Sequence, residues 1–152
     1  MGYVKDKPKL SERKIVKAVS ALLEKKGYNV RKEEVQFCER FIDILCWKNK
    51  SRSDIVAVEA KVKAPTKAFE QASRYRYIAD YVYVAILRDS CNKKSIELST
   101  STGIGLIFVR RDSLDRYYAT IEIKPKKSIY KDNGLVKYVL GDNYNIKLKR
   151  TS

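Results

Sequence analysis

The first clear pattern in the chain is an apolar stripe at helical spacing. It consists of Ile15, Val16, Val19, Leu22 and Leu23. This spacing predicts an amphipathic helix, with Ser11 as its N-cap and Gly27 at its end. Glu12 is the one acidic residue on the stripe, and a carboxylate in the first turn also stabilises the helix dipole. Glu12 therefore has both a structural and a functional interpretation.

Two segments of alternating character follow this helix. Residues 28–37 and 40–47 are predicted strands, separated by a polar bend near residues 38–40. A period of two gives the second strand one side with Phe41, Asp43, Leu45 and Trp47. Asp43 is the only charge on that side, which makes it a candidate functional residue.

The next strand, "DIVAVEAKV" at residues 54–62, carries charges where a strand that only packs would carry apolar residues. Alternation places Glu59 and Lys61 on the same face as Ile55 and Ala57. Two neighbouring strands thus each present charge on one face. A buried charge without a partner is costly, so these groups must neutralise one another or serve a ligand.

The pattern then alternates between helices and strands. Residues 64–80 are predicted to form a helix, with Thr66 as N-cap and with Gln71 and Tyr75 on one side. The near-continuous apolar runs at 81–87 and 103–110 are typical of central strands, and a short helix is expected between them, around Asn92 to Leu98. This order predicts an α/β fold, with a hairpin near its start and parallel pairing near its end.

Residues 111–152 are predicted to form a C-terminal β extension, with strands at 117–127 and 134–149 and a turn at 141–143. We expect a single domain over 1–152, with its core at 11–110. Apolar side chains in the extension exceed what a short exposed hairpin needs, so they form a candidate homodimer surface, or else cap the core of a monomer. These side chains are Leu135, Val136, Tyr138, Val139 and Leu140.

Composition favours a polyanionic partner. The 152 residues include 33 Lys and Arg against 18 Asp and Glu, a formal net charge of +15, and the basic residues run along the whole chain. Nucleic acid is the commonest such partner, DNA or RNA, and a membrane surface is the alternative. No apolar run approaches the roughly 20 residues of a spanning helix, and no signal peptide opens the chain. We therefore expect a soluble, cytoplasmic protein.

The chain contains no His, which limits its chemistry. Imidazole general bases and Ser-His or Cys-His nucleophile pairs are excluded, and zinc fingers lack their His ligands. Cys38, Cys46 and Cys91 show no C-x-x-C spacing and are expected to be buried, reduced thiols. Catalysis must then use carboxylates, Lys, Tyr and a hard cation such as Mg²⁺, which prefers oxygen ligands.

Two carboxylates that converge with one ammonium can form a Mg²⁺ site. Asp43 and Glu59 would supply oxygen ligands, and Lys61 would orient a water or stabilise charge on a phosphate. The structural alternative is an ion pair of Lys61 with either carboxylate at an exposed sheet edge.

The E-x-K spacing by itself is weak evidence, because it recurs. Two repeats fall on the first predicted helix, where positions i and i+2 point about 200° apart and cannot share a site. Residues 122–124 are a real rival on a predicted strand, with Asp112 and Asp115 upstream. Those aspartates fall in an apparent turn, so we prefer the site at Glu59. The repeats lie at residues 12–14, 24–26 and 122–124.

The order of these elements resembles the PD-(D/E)XK nuclease superfamily, which has the restriction-endonuclease-like fold. A helix with Glu12, a strand with Asp43, a strand with "EAK" at 59–61 and a helix with "QASRY" at 71–75 follow one another, over roughly residues 11–109. The resemblance implies an αβββαβ core, with a mixed central sheet flanked by helices. Ile42 stands where the name-giving Pro would precede the Asp.

The resemblance also implies a catalytic set. Asp43, Glu59 and Glu12 would bind Mg²⁺ or Mn²⁺, and Lys61 would complete the site of a metal-dependent deoxyribonuclease. The alternatives are a nucleic-acid-binding protein that does not cleave, and a structural basic protein. If the substrate has two strands to cut, a homodimer with two sites is expected.

Residues 71–75 are similar to the Q-x-x-x-Y motif of RecB-type nucleases. That similarity implies nucleic-acid binding by Gln71, Arg74 and Tyr75, although an ordinary amphipathic helix would carry the same pattern. The chain is also similar to archaeal Holliday-junction resolvase-like nucleases, but their glycine- and serine-rich segment is missing. The form of the substrate therefore stays open.

Overall fold

The structure, a computed structural model, describes residues 10–49, 54–63 and 65–141. In chain order the elements are α1 (Leu10–Lys25), β1 (Asn29–Lys32), β2 (Gln36–Phe37), β3 (Arg40–Phe41), β4 (Ile44–Trp47), β5 (Val56–Lys61), α2 (Pro65–Tyr75), β6 (Tyr81–Leu87), a short 3₁₀ helix (Arg88–Ser90), α3 (Lys93–Thr102), β7 (Gly105–Arg111), β8 (Tyr117–Ile123) and α4, helical over 133–141.

Six strands form one mixed sheet in the order β1-β4-β5-β6-β7-β8. The β5–β6 and β6–β7 pairs are parallel, and the other three pairs are antiparallel. Helix α1 packs on one face, and α2 and α4 pack on the other. The predicted α/β class, with a mixed central sheet flanked by helices, is confirmed, as are the early hairpin and the later parallel pairing.

The alternation along β5 sorts its side chains between two cores. Val56, Val58 and Ala60 face α1, while Ala57 and the preceding Ile55 face α2. Burial of each large apolar side chain stabilises the fold by about 1.5–3 kcal/mol. Because helices cover both faces, β6 and β7 consist almost entirely of apolar residues, as predicted.

The region between α1 and β5 is more divided than predicted. Strand β1 ends at Lys32, and β2 pairs with β3 in a separate two-stranded hairpin. At the hairpin turn, Cys38 and Glu39 have φ values of 53° and 65°, which residues other than Gly seldom adopt. Asp43 lies between β3 and β4 rather than inside one strand. The β2–β3 hairpin therefore determines where the chain returns to the six-stranded sheet as β4.

The predicted helix starts are wrong by one or more residues. Helix α1 already includes Leu10, and α2 begins at Pro65, so Ser11 and Thr66 lie inside the first turns. Proline suits the first helical position, because its missing N–H would have no partner there. Gly27, with a φ of 95°, follows the end of α1 as predicted.

The C-terminal region departs most from the prediction. Strand β8 is confirmed, but residues 133–141 are helical, and the strand predicted there is wrong. Val136 and Leu140, four residues apart, are buried in the core cluster that also contains the apolar side chains of α2, and Leu135 and Val139 pack against this cluster. Only Tyr138 of the five apolar residues stays exposed, at 85%. Val136 and Leu140 thus cap the core of one chain, as the alternative interpretation expected. The predicted dimer surface is reduced to Tyr138 and the half-buried Leu135 and Val139. Residues 142–152 of the predicted extension lie outside the described residues.

The segment after β8 is joined to the core through a buried carboxylate. Asp80 accepts the backbone N–H of Ile55 at 2.9 Å and the Nζ of Lys131 at 3.0 Å from each of its oxygens. Ser128 donates its N–H to the Asp80 carbonyl at 2.7 Å, and its hydroxyl donates to the Arg76 carbonyl at 2.6 Å. These bonds make the C-terminal segment part of the fold.

The three cysteines are all free thiols, but they differ in burial. Cys46 is buried and Cys91 is half-buried, whereas Cys38 is exposed at the hairpin turn, so the prediction of burial is wrong for Cys38. Within the part of the chain that the structure describes, no helix has both the length and the apolar character needed to cross a membrane.

Candidate active site

Two carboxylates meet where β4 and β5 run side by side. The antiparallel register pairs Ile44 with Val58, so Asp43 and Glu59 occupy the next position along the two chains. The backbone N–H of Ala60 donates to Oδ2 of Asp43 at 2.8 Å and fixes this side chain against β5. The structure therefore brings together two residues that the sequence had singled out separately.

Glu59 is held from the other side by α2. Its Oε2 accepts a hydrogen bond from the Tyr75 hydroxyl at 2.8 Å. Glu59 is 5% exposed and Tyr75 is 3% exposed, so both lie inside the protein. At this burial Tyr75 offers little surface for the predicted contact with nucleic acid, and its hydroxyl supports the Glu59 carboxylate.

Burial makes the two carboxyl groups unusually hard to ionise. Burial, followed by the charge of Asp43, raises the pKa of Glu59 to about 8, against the opposing effects of the Tyr75 hydroxyl and of Lys61. Burial also raises the pKa of Asp43 to about 6, although the Ala60 N–H lowers it. Because the groups interact, they titrate as a pair. A bound cation would stabilise their ionised forms.

Two cations lie close to this acid pair. Lys61 is half-buried on the same face of β5 as Glu59, and its charge lowers the pKa of both acids. Arg40, on β3, also lowers the pKa of Glu59. We did not predict a role for Arg40, because it falls in a polar bend and only the β2–β3 hairpin brings it back toward the site.

Beside Asp43 the surface opens into a cleft of about 280 Å³ between α1 and β1. Glu12, half-buried on α1, lines this cleft with Asp43, and its charge raises the pKa of Asp43. The first helix therefore brings Glu12 to the same cleft as Asp43. The lining residues are Glu12, Arg13, Val16, Lys17, Lys32, Glu33, Asp43 and Ala60.

The number of acidic side chains at the site can be compared with the number of protein ligands that a metal ion requires. Across residues 10–49, 54–63 and 65–141, no group of three or more Asp, Glu, Cys or His side chains is close enough to hold one. Glu12 thus does not form a direct three-ligand set with Asp43 and Glu59. Mg²⁺ usually takes only one or two carboxylates and completes its shell with waters and phosphates. Asp43 and Glu59 fit that smaller requirement.

The rival acids near β8 do not converge. Glu122 forms an ion pair with Arg110 at 3.0 Å, on the edge strand of the sheet. Asp112 accepts the N–H groups of Leu114 and Arg116 within the β7–β8 turn, each at 2.9 Å. Asp112 thus stabilises a turn, and Glu122 belongs to an exposed ion pair. Within the described part of the chain, neither belongs to a cluster of acids, which agrees with the preference for the site at Glu59.

The remaining predicted contacts to nucleic acid lie on α2. Arg74 is exposed, and Gln71 is half-buried one turn before Tyr75. Of these three residues of the motif, Arg74 alone is exposed. Within the motif, Tyr75 thus faces the protein interior and Arg74 faces solvent.

No family model and no curated protein matches the chain. Two solved structures resemble it weakly: SfsA from Pyrococcus furiosus in complex with Ca²⁺ (12% identity, TM-score 0.40, over 74% of this chain and 60% of that one) and the CdiA-CT/CdiI toxin and immunity complex from Burkholderia pseudomallei (12%, 0.39, over 80% and 93%). The chain is more similar to the SPO1766 protein of unknown function from Silicibacter pomeroyi, with 15% identity and a TM-score of 0.66 over 97% of this chain and 91% of that one. That likeness shows a shared fold.

Proposed function

We propose that the protein is a metal-dependent nuclease that hydrolyses phosphodiester bonds in DNA. The observation that carries the proposal is the buried pair of Asp43 and Glu59, which neighbouring strands hold close to Lys61, with Asp43 lining a cleft. The resemblance to the PD-(D/E)XK superfamily and the net charge of +15 support the same function.

Asp43 and Glu59 would hold Mg²⁺ or Mn²⁺. When bound, the ion would supply Lewis-acid chemistry, lowering the pKa of water and stabilising charge on the phosphate. The Ala60 N–H and the Tyr75 hydroxyl each fix one carboxylate oxygen, so the other oxygen of each acid keeps a defined direction. These two hydrogen bonds would preorganise the two proposed ligands.

The other site residues would act around this pair. Lys61 would orient the attacking water or stabilise negative charge that develops on the phosphate. Glu12 would act through a water, because it is not grouped with the other two acids. Gln71 and Arg74 stay proposed contacts for the nucleic acid, with Arg74 the more accessible.

The acid pair also weighs against the two alternatives. Burying two adjacent carboxylates costs stability, as the raised pKa values of Asp43 and Glu59 reflect. A protein that only binds nucleic acid gains nothing from negative charge at that place, and a structural protein would be more stable with apolar residues there. Catalysis by Asp43 and Glu59 would explain why the protein keeps two buried carboxylates that lower its stability.

The test is cleavage of linear, circular, single-stranded and four-way-junction DNA, and of RNA, with Mg²⁺, with Mn²⁺ and with chelator. Asp43→Asn is expected to abolish cleavage while binding persists or tightens, because a negative charge near phosphate is lost. Asp115→Asn is the matched control, since Asp115 lies in an exposed ion pair with Arg111. Cleavage by Asp43→Asn at the normal rate would refute the proposal. Binding without cleavage by the unmodified protein would favour the non-cleaving alternative.

A homodimer stays a prediction that depends on the substrate. Two antiparallel strands are most directly cut by two sites related by a two-fold axis. Sedimentation of the full chain, alone and with duplex DNA, measures the assembly. A monomer that still cuts both strands of a duplex would contradict this prediction.

A further inference from the structure

The cleft between α1 and β1 has walls of different character. On α1, Glu12 and Val16 are four residues apart and half-buried, so they form an inner row. Arg13 and Lys17 are also four residues apart, but they are exposed and form an outer row along the cleft. Residues four apart lie on the same side of a helix, one turn from each other. Helix α1 therefore presents acid toward the interior and cations toward solvent.

The opposite wall adds a third exposed cation, Lys32, at the end of edge strand β1. Arg13, Lys17 and Lys32 together are called the basic rim. Its one acidic neighbour among the exposed lining residues is Glu33. Three cations against one acid leave the rim positive, whereas the half-buried acids of the cleft lie deeper, beside the proposed metal site.

The basic rim differs from the basic residues at the other end of the sheet. Arg110, Arg111 and Arg116 each form an ion pair with an acid, at 3.0, 3.2 and 2.9 Å. Among the residues that the structure describes, no cation of the basic rim has an acidic partner within 4.0 Å. The charge of the rim is thus available to a ligand.

We infer that the basic rim binds the phosphodiester backbone of the substrate strand, next to the phosphate that is cleaved. This inference rests on the proposed function and deepens it, because it places the strand between α1 and β1. Cations on flexible side chains contact phosphates without reading bases, so binding at the rim is independent of sequence. Asp43, one of the two proposed metal ligands, lies in the same cleft as the basic rim, so a strand held by the rim would pass beside the proposed metal site.

The test measures binding by fluorescence anisotropy, with a labelled single-stranded oligodeoxynucleotide of mixed sequence and with its duplex, in chelator and over a range of salt concentrations. Each phosphate contact contributes about 0.7 to the slope of log affinity against log salt for a single strand, and about 0.9 for a duplex. Lys17→Gln and Lys32→Gln are each expected to lower the slope by about that amount. Lys25→Gln is the matched control, because Lys25 is exposed in the last turn of α1, away from the cleft.

The outcomes separate this inference from the proposed function, because chelator removes cleavage from the measurement. A smaller slope for Lys17→Gln and Lys32→Gln but not for Lys25→Gln supports the basic rim, even if the protein proves unable to cut. Equal changes in all three variants would show diffuse attraction to the whole basic surface and would overturn the inference. So would unchanged slopes in a protein that cleaves DNA normally.

Discussion

The same E-x-K spacing occurs on two strands of one sheet and leads to two different environments. On β5, which has strands on both sides, Glu59 is 5% exposed and accepts the Tyr75 hydroxyl. On β8, at the sheet edge, the Glu122 side chain is 34% exposed and pairs with Arg110. The residue types are the same, so the position in the sheet makes the difference.

The comparison shows how a fold can give chemistry to an ordinary residue. At the edge, water screens the charge of Glu122, and an exposed ion pair contributes at most about 1 kcal/mol. In the centre, burial raises the pKa of Glu59 to about 8 and makes the carboxylate dependent on nearby cations. The E-x-K motif therefore indicates a function only when its position in the sheet is also known.

The largest difference is expected when each glutamate is replaced by glutamine. Glu59→Gln should lower the initial rate of divalent-dependent DNA cleavage by about 10²-fold or more, because the variant lacks a proposed metal ligand. Glu122→Gln should cleave at the normal rate, since its carboxylate only pairs with Arg110. Equal losses of cleavage rate in the two variants would show that the two glutamates do not differ in function. A loss of rate only in Glu122→Gln would place the active site on β8.

A second difference should appear in stability against pH without metal. The folded-state pKa values of Glu59 and Asp43, about 8 and about 6, lie above their ordinary values of 4.5 and 3.8. The folded protein thus retains protons that the unfolded chain releases, so this contribution is complete below about pH 4 and is lost by about pH 8. The loss should be several kcal/mol, because a pKa difference of one between the folded and unfolded states corresponds to about 1.4 kcal/mol.

Denaturant unfolding of the unmodified protein and of Glu59→Gln, in chelator across this pH range, measures the effect. The variant should gain stability relative to the unmodified protein as the pH rises. Mg²⁺ at the alkaline end should stabilise the unmodified protein more than the variant. A difference that does not change with pH would contradict the raised pKa, and Glu122→Gln provides the control from the sheet edge.

The hydrogen bond that supports Glu59 can be removed by itself. Tyr75→Phe leaves a buried carboxylate oxygen without its donor, at a cost of about 1–3 kcal/mol in the free energy of unfolding. The hydroxyl lowers the pKa of Glu59, so the variant should need a higher pH for cleavage. Tyr118→Phe, on the exposed part of β8, should change neither quantity. An unshifted pH profile in Tyr75→Phe would mean that the hydroxyl does not tune Glu59.

The smallest effect is expected from the ion pair on β8. Glu122→Gln should lower the free energy of unfolding by less than about 1 kcal/mol, because both partners are a third exposed. Urea unfolding at low and high salt checks this value. A larger loss would show that the edge pair contributes to stability as a buried group does.

The sequence was most informative where one pattern decides between helix and strand. The apolar runs of β6 and β7 and the stripe of α1 predicted those elements, and alternation placed Glu59 on the correct face of β5. The acid pair was also within reach, because Asp43 and Glu59 interrupt apolar patterns. These features depend on neighbours in the chain, which the sequence displays directly.

Contacts between distant residues could not be predicted in the same way. Two-residue strands such as β2 and β3 show no period, so the hairpin that brings Arg40 toward Glu59 was missed. The pattern of apolar residues at 135–140 is compatible with a strand or with a helix. The helix forms because it packs Val136 and Leu140 into the core. Nothing in the sequence indicates that Tyr75 donates to Glu59 rather than to a ligand, because that bond depends on how α2 lies on the sheet.

The bond between Asp80 and Lys131 matters for how the protein is made. A ribosome synthesises Asp80, the whole sheet and all the proposed catalytic residues before Lys131 and the helix with Val136 and Leu140. Until those last residues emerge, Asp80 lacks its counter-charge and one side of the core stays uncovered. A premature stop codon near residue 111 would therefore produce a chain that has every proposed catalytic side chain but lacks β8 and a closed core, and such a chain would be bound by chaperones and degraded by proteases.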